Sequence, residues 1–178
     1  NSKVPFSEDD RVDEPVSLYA ATKKSIELMA YTNSHLYRKP TTGLRFFTVY
    51  GPWGRPDMSP ILFANAITQG KPIKVFNNGE MERDFTYIDD IVEGIVRVVS
   101  HVPEDKPAYQ IMNIGNGSPV NLLQFIETME GALGKKAEKV FLPMQPGDVK
   151  RTWADTSKLK GVIDYISKTD IQKGISSV

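Results

Sequence analysis

The sequence predicts an α/β chain, and three observations carry that expectation. Short β-rich runs end in turns of Gly, Pro or Asn. Segments with apolar residues at helical spacing lie between them. No internal repeat or low-complexity tract interrupts the alternation, which suits strands packed beside helices. With 178 residues, 40% hydrophobic and 25% charged, the chain has material for a buried core and the length of one domain or part of a larger one.

Taken in order, residues 1–16 are polar and Pro-punctuated, which reads as a surface loop. Ser17 is the expected N-cap of a helix ending before Pro40, with an apolar stripe of Leu18, Ala21, Ile26, Met29, Ala30 and Leu36. Gly43 to Tyr50 reads as a buried strand closed by Gly51-Pro52. The Gly- and Pro-rich residues 51–60 form a loop of the kind that carries function on a rigid scaffold. A short helix over 61–69 stops at Gly70, Ile73 to Phe76 is a strand, and Asn77-Asn78-Gly79 is a turn. Arg83 to Asp90 starts extended and leads into a helix over 90–101, with Ile91, Ile95, Val98 and Val99 on one stripe. Tyr109 to Ile114 is a strand, and Asn121 caps a helix running to Leu133. A brief strand at Val140 to Leu142 precedes a loop, a short helix from Asp155 or Thr156, and a last helix from residue 170. Tyr31, Tyr37, Phe63, Phe125 and Trp153 are assigned to the core. Asp89 and Asp90 read as charges capping a helix start, not as a catalytic dyad.

Composition excludes several classes. Lys plus Arg equals Asp plus Glu at 22 each, so no charge excess points to nucleic acid or a membrane surface. There is no Cys, which removes disulfide scaffolds, thiol nucleophiles and Cys-based metal sites. His35 and His101 are the only histidines and fall in separate helical segments, so neither a metal site nor a Ser-His-Asp triad is expected. No apolar run is long enough to span a bilayer and no signal-peptide pattern is present; a cytoplasmic protein is the expectation.

Tyr19 and Lys23 carry the first chemical signal. Four residues apart on a helix they share a face, so an ammonium sits beside a phenol. A neighbouring positive charge favours the phenolate and brings the tyrosine towards working pH. Such a phenolate accepts a hydroxyl proton, which an isolated tyrosine does not. An ordinary helix with a half-buried Tyr and a solvated Lys shows the same spacing, so the surrounding motifs decide. A dinucleotide-binding fold normally opens with a strand and a Gly-x-Gly-x-x-Gly turn that cradles pyrophosphate. None is present, and Gly115-Asn116-Gly117 lacks the third glycine. Either the protein binds no dinucleotide, or the chain is the C-terminal portion of a longer one. The loop-like start at Asn1 and the helix cut short at Val178 favour the second expectation.

Four motifs then occur in a telling order. They are Lys3-Val-Pro-Phe-Ser-Glu-Asp-Asp-Arg-Val-Asp13, Ser17-Leu-Tyr-Ala-Ala-Thr-Lys-Lys24, Leu44-Arg-Phe-Phe-Thr-Val-Tyr-Gly-Pro-Trp-Gly-Arg-Pro-Asp-Met58 and Arg83-Asp-Phe-Thr-Tyr-Ile-Asp-Asp90. Together they resemble the extended short-chain dehydrogenase/reductase family, within it the nucleotide-sugar epimerases, and most nearly the UDP-glucuronate 4-epimerases. The resemblance covers nearly the whole chain and aligns it with the second half of such an enzyme. It implies that residues 1–52 are the C-terminal part of a Rossmann-like doubly wound domain carrying the Tyr-x-x-x-Lys helix. Residues 53–178 are then mainly a smaller α/β substrate-binding subdomain, with elements of about 73–114 partly returning to the main sheet.

The resemblance also implies roles. Tyr19 is the catalytic base, and Lys23 binds the nicotinamide ribose of NAD and tunes the tyrosine. Phe46 and Val49 lie against the cofactor. Thr48 stands where glucose-type relatives usually carry Asn, and with Arg55 it would hold a C5 carboxylate. Val75 and Phe76 offer backbone to uracil, and Arg83 pairs with the diphosphate. The loop Gln145-Pro-Gly-Asp148 closes over the nucleotide, with Asp148 on a ribose hydroxyl. Gln145 departs from the usual Arg there, a charge that Arg151 is placed to replace. Ile26 stands where close relatives tend to be polar. Read alone, Thr48 suits a strand end, Arg55 a solvated loop, Arg83 a surface partnership with Glu82 or Asp84, and Val75 and Phe76 the core.

The expected activity is NAD-dependent epimerisation at C4 of a UDP-sugar, UDP-glucuronate to UDP-galacturonate through a transient 4-keto sugar. The full-length enzyme is expected to be a homodimer. These 178 residues alone, lacking the cofactor turn and the Ser/Thr partner of the sugar hydroxyl, are not expected to turn over. The alternatives are a 4,6-dehydratase or decarboxylase of the same family, and a non-catalytic nucleotide-sugar-binding module.

Overall fold

The computed structural model describes residues 3–145 and 147–178. Residues 1 and 2, at the head of the expected surface loop, and Pro146, inside the expected nucleotide loop, lie outside the described residues. Helix α1 (Leu18–Tyr37) starts where expected, with Ser17 Oγ accepting from Ala20 N at 3.1 Å, and stops at Arg38 in the left-handed region. The single strand expected over Gly43 to Tyr50 is two, β1 (Thr41–Phe46) and β2 (Thr48–Tyr50). The break at Phe47 marks a change of partner. β1 runs parallel to β6 (Tyr109–Ile114), whereas β2 runs parallel to β5 (Phe85–Tyr87). Phe47 N still donates to Ile114 O at 3.3 Å, and the next amide, Thr48 N, donates to Asp84 O at 3.0 Å.

Helix α2 (Ser59–Thr68) leads to β3 (Ile73–Phe76), which pairs in parallel with β8 (Lys139–Leu142). The turn Asn77–Gly79 places Asn77 and Asn78 at positive φ, which asparagine tolerates. Two strands escaped the sequence reading, β4 (Glu82–Arg83) and β7 (Val120–Asn121), an antiparallel pair of two residues each, too short to show a period. Helices α3 (Ile88–Val99), α4 (Leu122–Leu133), α5 (Ser157–Ile163) and α6 (Ile171–Ile175) complete the chain. Asn121 caps α4 through a 2.8 Å bond from Leu123 N.

The apolar residues gather in two clusters. One joins Tyr50, Phe63, Val75, Phe85, Phe125 and Met129, with Phe85 and Phe125 stacked at 4.0 Å. The other joins Ile91, Val98, Met112, Ile114, Leu159 and Tyr165. Phe63 and Phe125 are core as expected, but Tyr31 and Tyr37 are exposed, and Trp153 is half-buried. Tyr31 instead sets its ring edge-on to Tyr109 at 5.4 Å.

Two further expectations need correction. The stripe of Leu18, Ile26, Met29 and Leu36 is exposed, because α1 turns its other face to the sheet. There Ser34 donates to Ala108 O at 3.0 Å, and Glu27 takes both a 2.6 Å bond from Arg45 and a backbone contact from Tyr109 Oη. β1 is accordingly half-buried, and Phe46 at its end is exposed. Nor does Asp90 cap α3. It is buried, and its carboxylate accepts from Ser167 Oγ at 2.6 Å and Thr169 N at 2.9 Å, fastening residues 165–169 to the helix start.

Candidate active site

The Tyr–Lys pair has the geometry its spacing implied. Lys23 Nζ lies over the Tyr19 ring, 5.3 Å from the centroid, close enough for a cation–π attraction. Tyr19 is 72% exposed, so phenol and ammonium are both open to a ligand. β1, alongside the helix, ends in the exposed Phe46, while Val49 on β2 packs its side chain against the second apolar cluster. Thr48 between them is half-buried and fixed by its amide to Asp84 O.

Arg55 lies in the loop that follows β2 directly. Its Nε meets Asp57 Oδ1 at 2.6 Å, and both side chains are 70% exposed. The loop backbone is nonetheless tightly built. Gly51 sits at φ +140°, and a Cβ there would come within 2.5 Å of the Ile88 side chain. Trp53 is fully exposed and in the left-handed region.

Two of the residues expected at the nucleotide come together. Arg83 Nη2 meets Asp148 Oδ1 at 2.7 Å, although 65 positions separate them, and Arg83 Nη1 donates to the carbonyls of Glu82 and Lys150. Burial pulls Arg83 below its usual value and Asp148 opposes this; a guanidinium stays charged in either case. The alternative reading of Arg83, a surface partnership with the Asp84 or Glu82 side chain, is not what forms: its side-chain partner is Asp148. Gln145 is exposed, and its carbonyl accepts from Asp148 N at 3.2 Å, closing the loop that carries the aspartate. Beside the pair runs an open groove of about 680 Å³, lined by Glu82, Asn121, Met144, Asp148, Lys150 and Arg151. Arg151 faces it already paired with Glu82. Val75 is wholly buried, so only its backbone is left for a ligand, and β3 is paired with β8 alone among the described residues. Phe76 is half-buried against the first cluster.

Sequence reasoning gave Asp84 no role, yet it is one of the most buried residues. No pattern in the sequence marked it: Phe85 beside it is core, so alternation along the strand would turn Asp84 outwards, and its backbone donors lie 32 to 70 positions away.

Parallel strands backed by helices, with the Tyr-x-x-x-Lys helix lying along β1, make this a Rossmann-like α/β protein. Solved structures agree. The UDP-glucuronic acid 4-epimerase from Bacillus cereus, in complex with UDP-glucuronic acid and NAD, matches with a TM-score of 0.90 at 33% identity, over 99% of this chain and 56% of that one. The UDP-glucose 4-epimerase of Thermotoga maritima matches with a TM-score of 0.82 at 26% identity, over 92% and 52%. The chain belongs to the NAD dependent epimerase/dehydratase family, whose model matches residues 1–115. A probable UDP-glucuronate 4-epimerase of Rhizobium meliloti is 49% identical over 99% of this chain and 56% of its own length. The chain spans about half the length of the curated relatives it matches. No helix among the described residues is long and apolar enough to cross a membrane.

Proposed function

We propose that the protein carrying this chain is an NAD-dependent UDP-sugar 4-epimerase that acts on UDP-glucuronate. The observation that carries the reading is Lys23 Nζ poised over the exposed Tyr19 ring on the helix beside β1. Family membership and relatives described as UDP-glucuronate 4-epimerases support it. So does the pairing of Arg83 with Asp148, which lines the groove.

The residues present fit one end of NAD. An exposed phenol and ammonium suit the ribose and nicotinamide, and the exposed Phe46 and the backbone near Val49 suit the ring. Bound there, NAD supplies a hydride acceptor and donor at C4 of the hexose. Tyr19 Oη takes the proton of the 4-hydroxyl, and Lys23 favours the phenolate that receives it. Arg83 holds the diphosphate, Asp148 a ribose hydroxyl, and the backbones of Val75 and Phe76 the uracil; Gln145 closes the loop over them. Thr48 and Arg55 hold the C5 carboxylate, for which Arg55 retains donors not engaged by Asp57. The nucleotide is thus gripped firmly while the 4-keto hexose turns its other face to the redox ring. Within this reading residues 1–52 serve the cofactor and 53–178 mainly the sugar nucleotide, in a cytoplasmic homodimer.

The test is an assay of the full-length protein with UDP-glucuronate and UDP-glucose. We expect clear preference for the acidic sugar; preference for the neutral one would remove the roles of Thr48 and Arg55. Tyr19→Phe should lower turnover about 10²–10⁴-fold and leave UDP binding intact. Near-normal turnover of that variant would rule out Tyr19 as the base.

A further inference from the structure

The mechanism above makes no use of Asp84, a carboxylate with 0% exposure. Its Oδ1 accepts from Asn116 N at 2.8 Å and lies 3.4 Å from Thr86 Oγ1. Its Oδ2 accepts from Gly117 N at 3.0 Å and Ala154 N at 2.9 Å. Its own amide donates to Thr152 Oγ1 at 3.2 Å, and its carbonyl accepts from Thr48 N at 3.0 Å. No cation is among these partners. A buried charge held by neutral donors alone carries a desolvation cost that only its hydrogen bonds offset, and an apolar residue in its place would leave those donors unpaired. Burial pushes the carboxyl up, and the converging N–H groups oppose it by favouring the ionised form.

The segments joined by Asp84 are those that carry the two ends of the proposed site. Thr48, at the hexose end, hangs from its carbonyl. The stretch through Ala154 continues back to Lys150, whose carbonyl accepts from Glu82 N at 2.9 Å and from Arg83 Nη1 at 3.3 Å. The turn after β6 is fitted as closely. Gly117 sits at φ +69°, its carbonyl accepts from Trp153 Nε1 at 2.9 Å, and a Cβ on Gly115 would meet Ala154 Cβ at 2.8 Å.

We propose that Asp84 is a positioning residue whose carboxylate, through Ala154 N, holds the stretch back to Lys150 against the strand of Arg83 and so fixes the Arg83–Asp148 pair at the nucleotide end. The inference rests on the sugar-nucleotide reading given above. An amide at this position turns one acceptor oxygen into a donor. That donor faces either Asn116 N or both Gly117 N and Ala154 N, so no flip restores the set.

The experiment uses the full-length protein carrying Asp84→Asn, with calorimetric titration of UDP and steady-state kinetics on UDP-glucuronate. The expected result is UDP affinity weakened about tenfold and KM raised to match, with a smaller change in kcat, a cooperative thermal melt and retained NAD. A purely structural role would lower the melt and leave both constants of the folded enzyme unchanged; that result overturns the proposal. If Asp84→Asn does not fold, Thr152→Val, which removes the acceptor of the Asp84 amide, decides. It should weaken UDP binding about threefold and Thr152→Ser should restore it; unchanged UDP affinity in Thr152→Val overturns the proposal. A wild-type protein that binds UDP but does not epimerise UDP-glucuronate sinks the substrate reading while Asp84 is still judged by UDP affinity. A wild-type protein that binds no UDP sinks both.

Discussion

At the scale of single residues, the two charged pairs of the site differ in what their surroundings make of them. Arg55 and Asp57 meet in open solvent, where an ion pair contributes little and is readily exchanged for a ligand carboxylate. Arg83 and Asp148 have side chains 16% and 30% exposed, and the arginine also serves two backbone carbonyls. Its planar fork therefore matters as much as its charge. Arg83→Lys keeps the charge but cannot reach Asp148 and both carbonyls together. We expect it to weaken UDP binding about tenfold, as read by calorimetry. Wild-type affinity in Arg83→Lys would show that a point charge suffices and would remove the diphosphate fork from the mechanism.

At the scale of elements, α4 and β8 are locked by one glutamate. Glu130, buried on α4, accepts from Lys136 Nζ at 2.7 Å, from Ala137 N at 3.1 Å, and from Lys139 on β8. Burial alone would raise its carboxyl, but the two ammonium groups and the amide outweigh this and hold it at about 2. A carboxyl depressed below its unfolded value of 4.5 adds stability that is full above that pH and fades as pH falls towards 2. Glu130→Gln should therefore cost about 1.5–3 kcal/mol at pH 7, measured by urea unfolding, and progressively less below pH 4.5. A penalty that stays the same down to pH 2.5 would mean that packing, not charge, is what the substitution removes. The strand pair β3–β8 extends from this lock, so its stability bears on the backbone proposed to meet the uracil.

For the molecule as a whole, what could be read from the sequence was local and what could not was distant. The Ser17 and Asn121 caps, the Asn77–Gly79 turn and the Tyr19–Lys23 stack all depend on neighbours within four residues. The meeting of Arg83 with Asp148 spans 65 positions, and family resemblance put each at the nucleotide without pairing them; the backbone donors to Asp84, 32 to 70 positions away, were not available at all. The break at Phe47 likewise depends on which strand lies beside β1 and β2, which no pattern within them encodes. Helix α1 shows the limit most clearly. Periodicity identified an apolar face but not what covers it, and the structure leaves Leu18, Ile26, Met29 and Leu36 exposed on the side opposite the sheet. Apolar residues gathered on one exposed face mark a contact surface. In the proposed homodimer that surface would meet its copy, since a twofold interface brings the same patch of both subunits together. Placing a charge at the middle of the stripe, Met29→Glu in the full-length protein, should then shift sedimentation from dimer to monomer. UDP affinity should hold, because Arg83 and Asp148 lie on other elements. A variant that sediments as a dimer alongside the wild type would mean that another segment of the same chain covers α1, and that the subunits pair elsewhere.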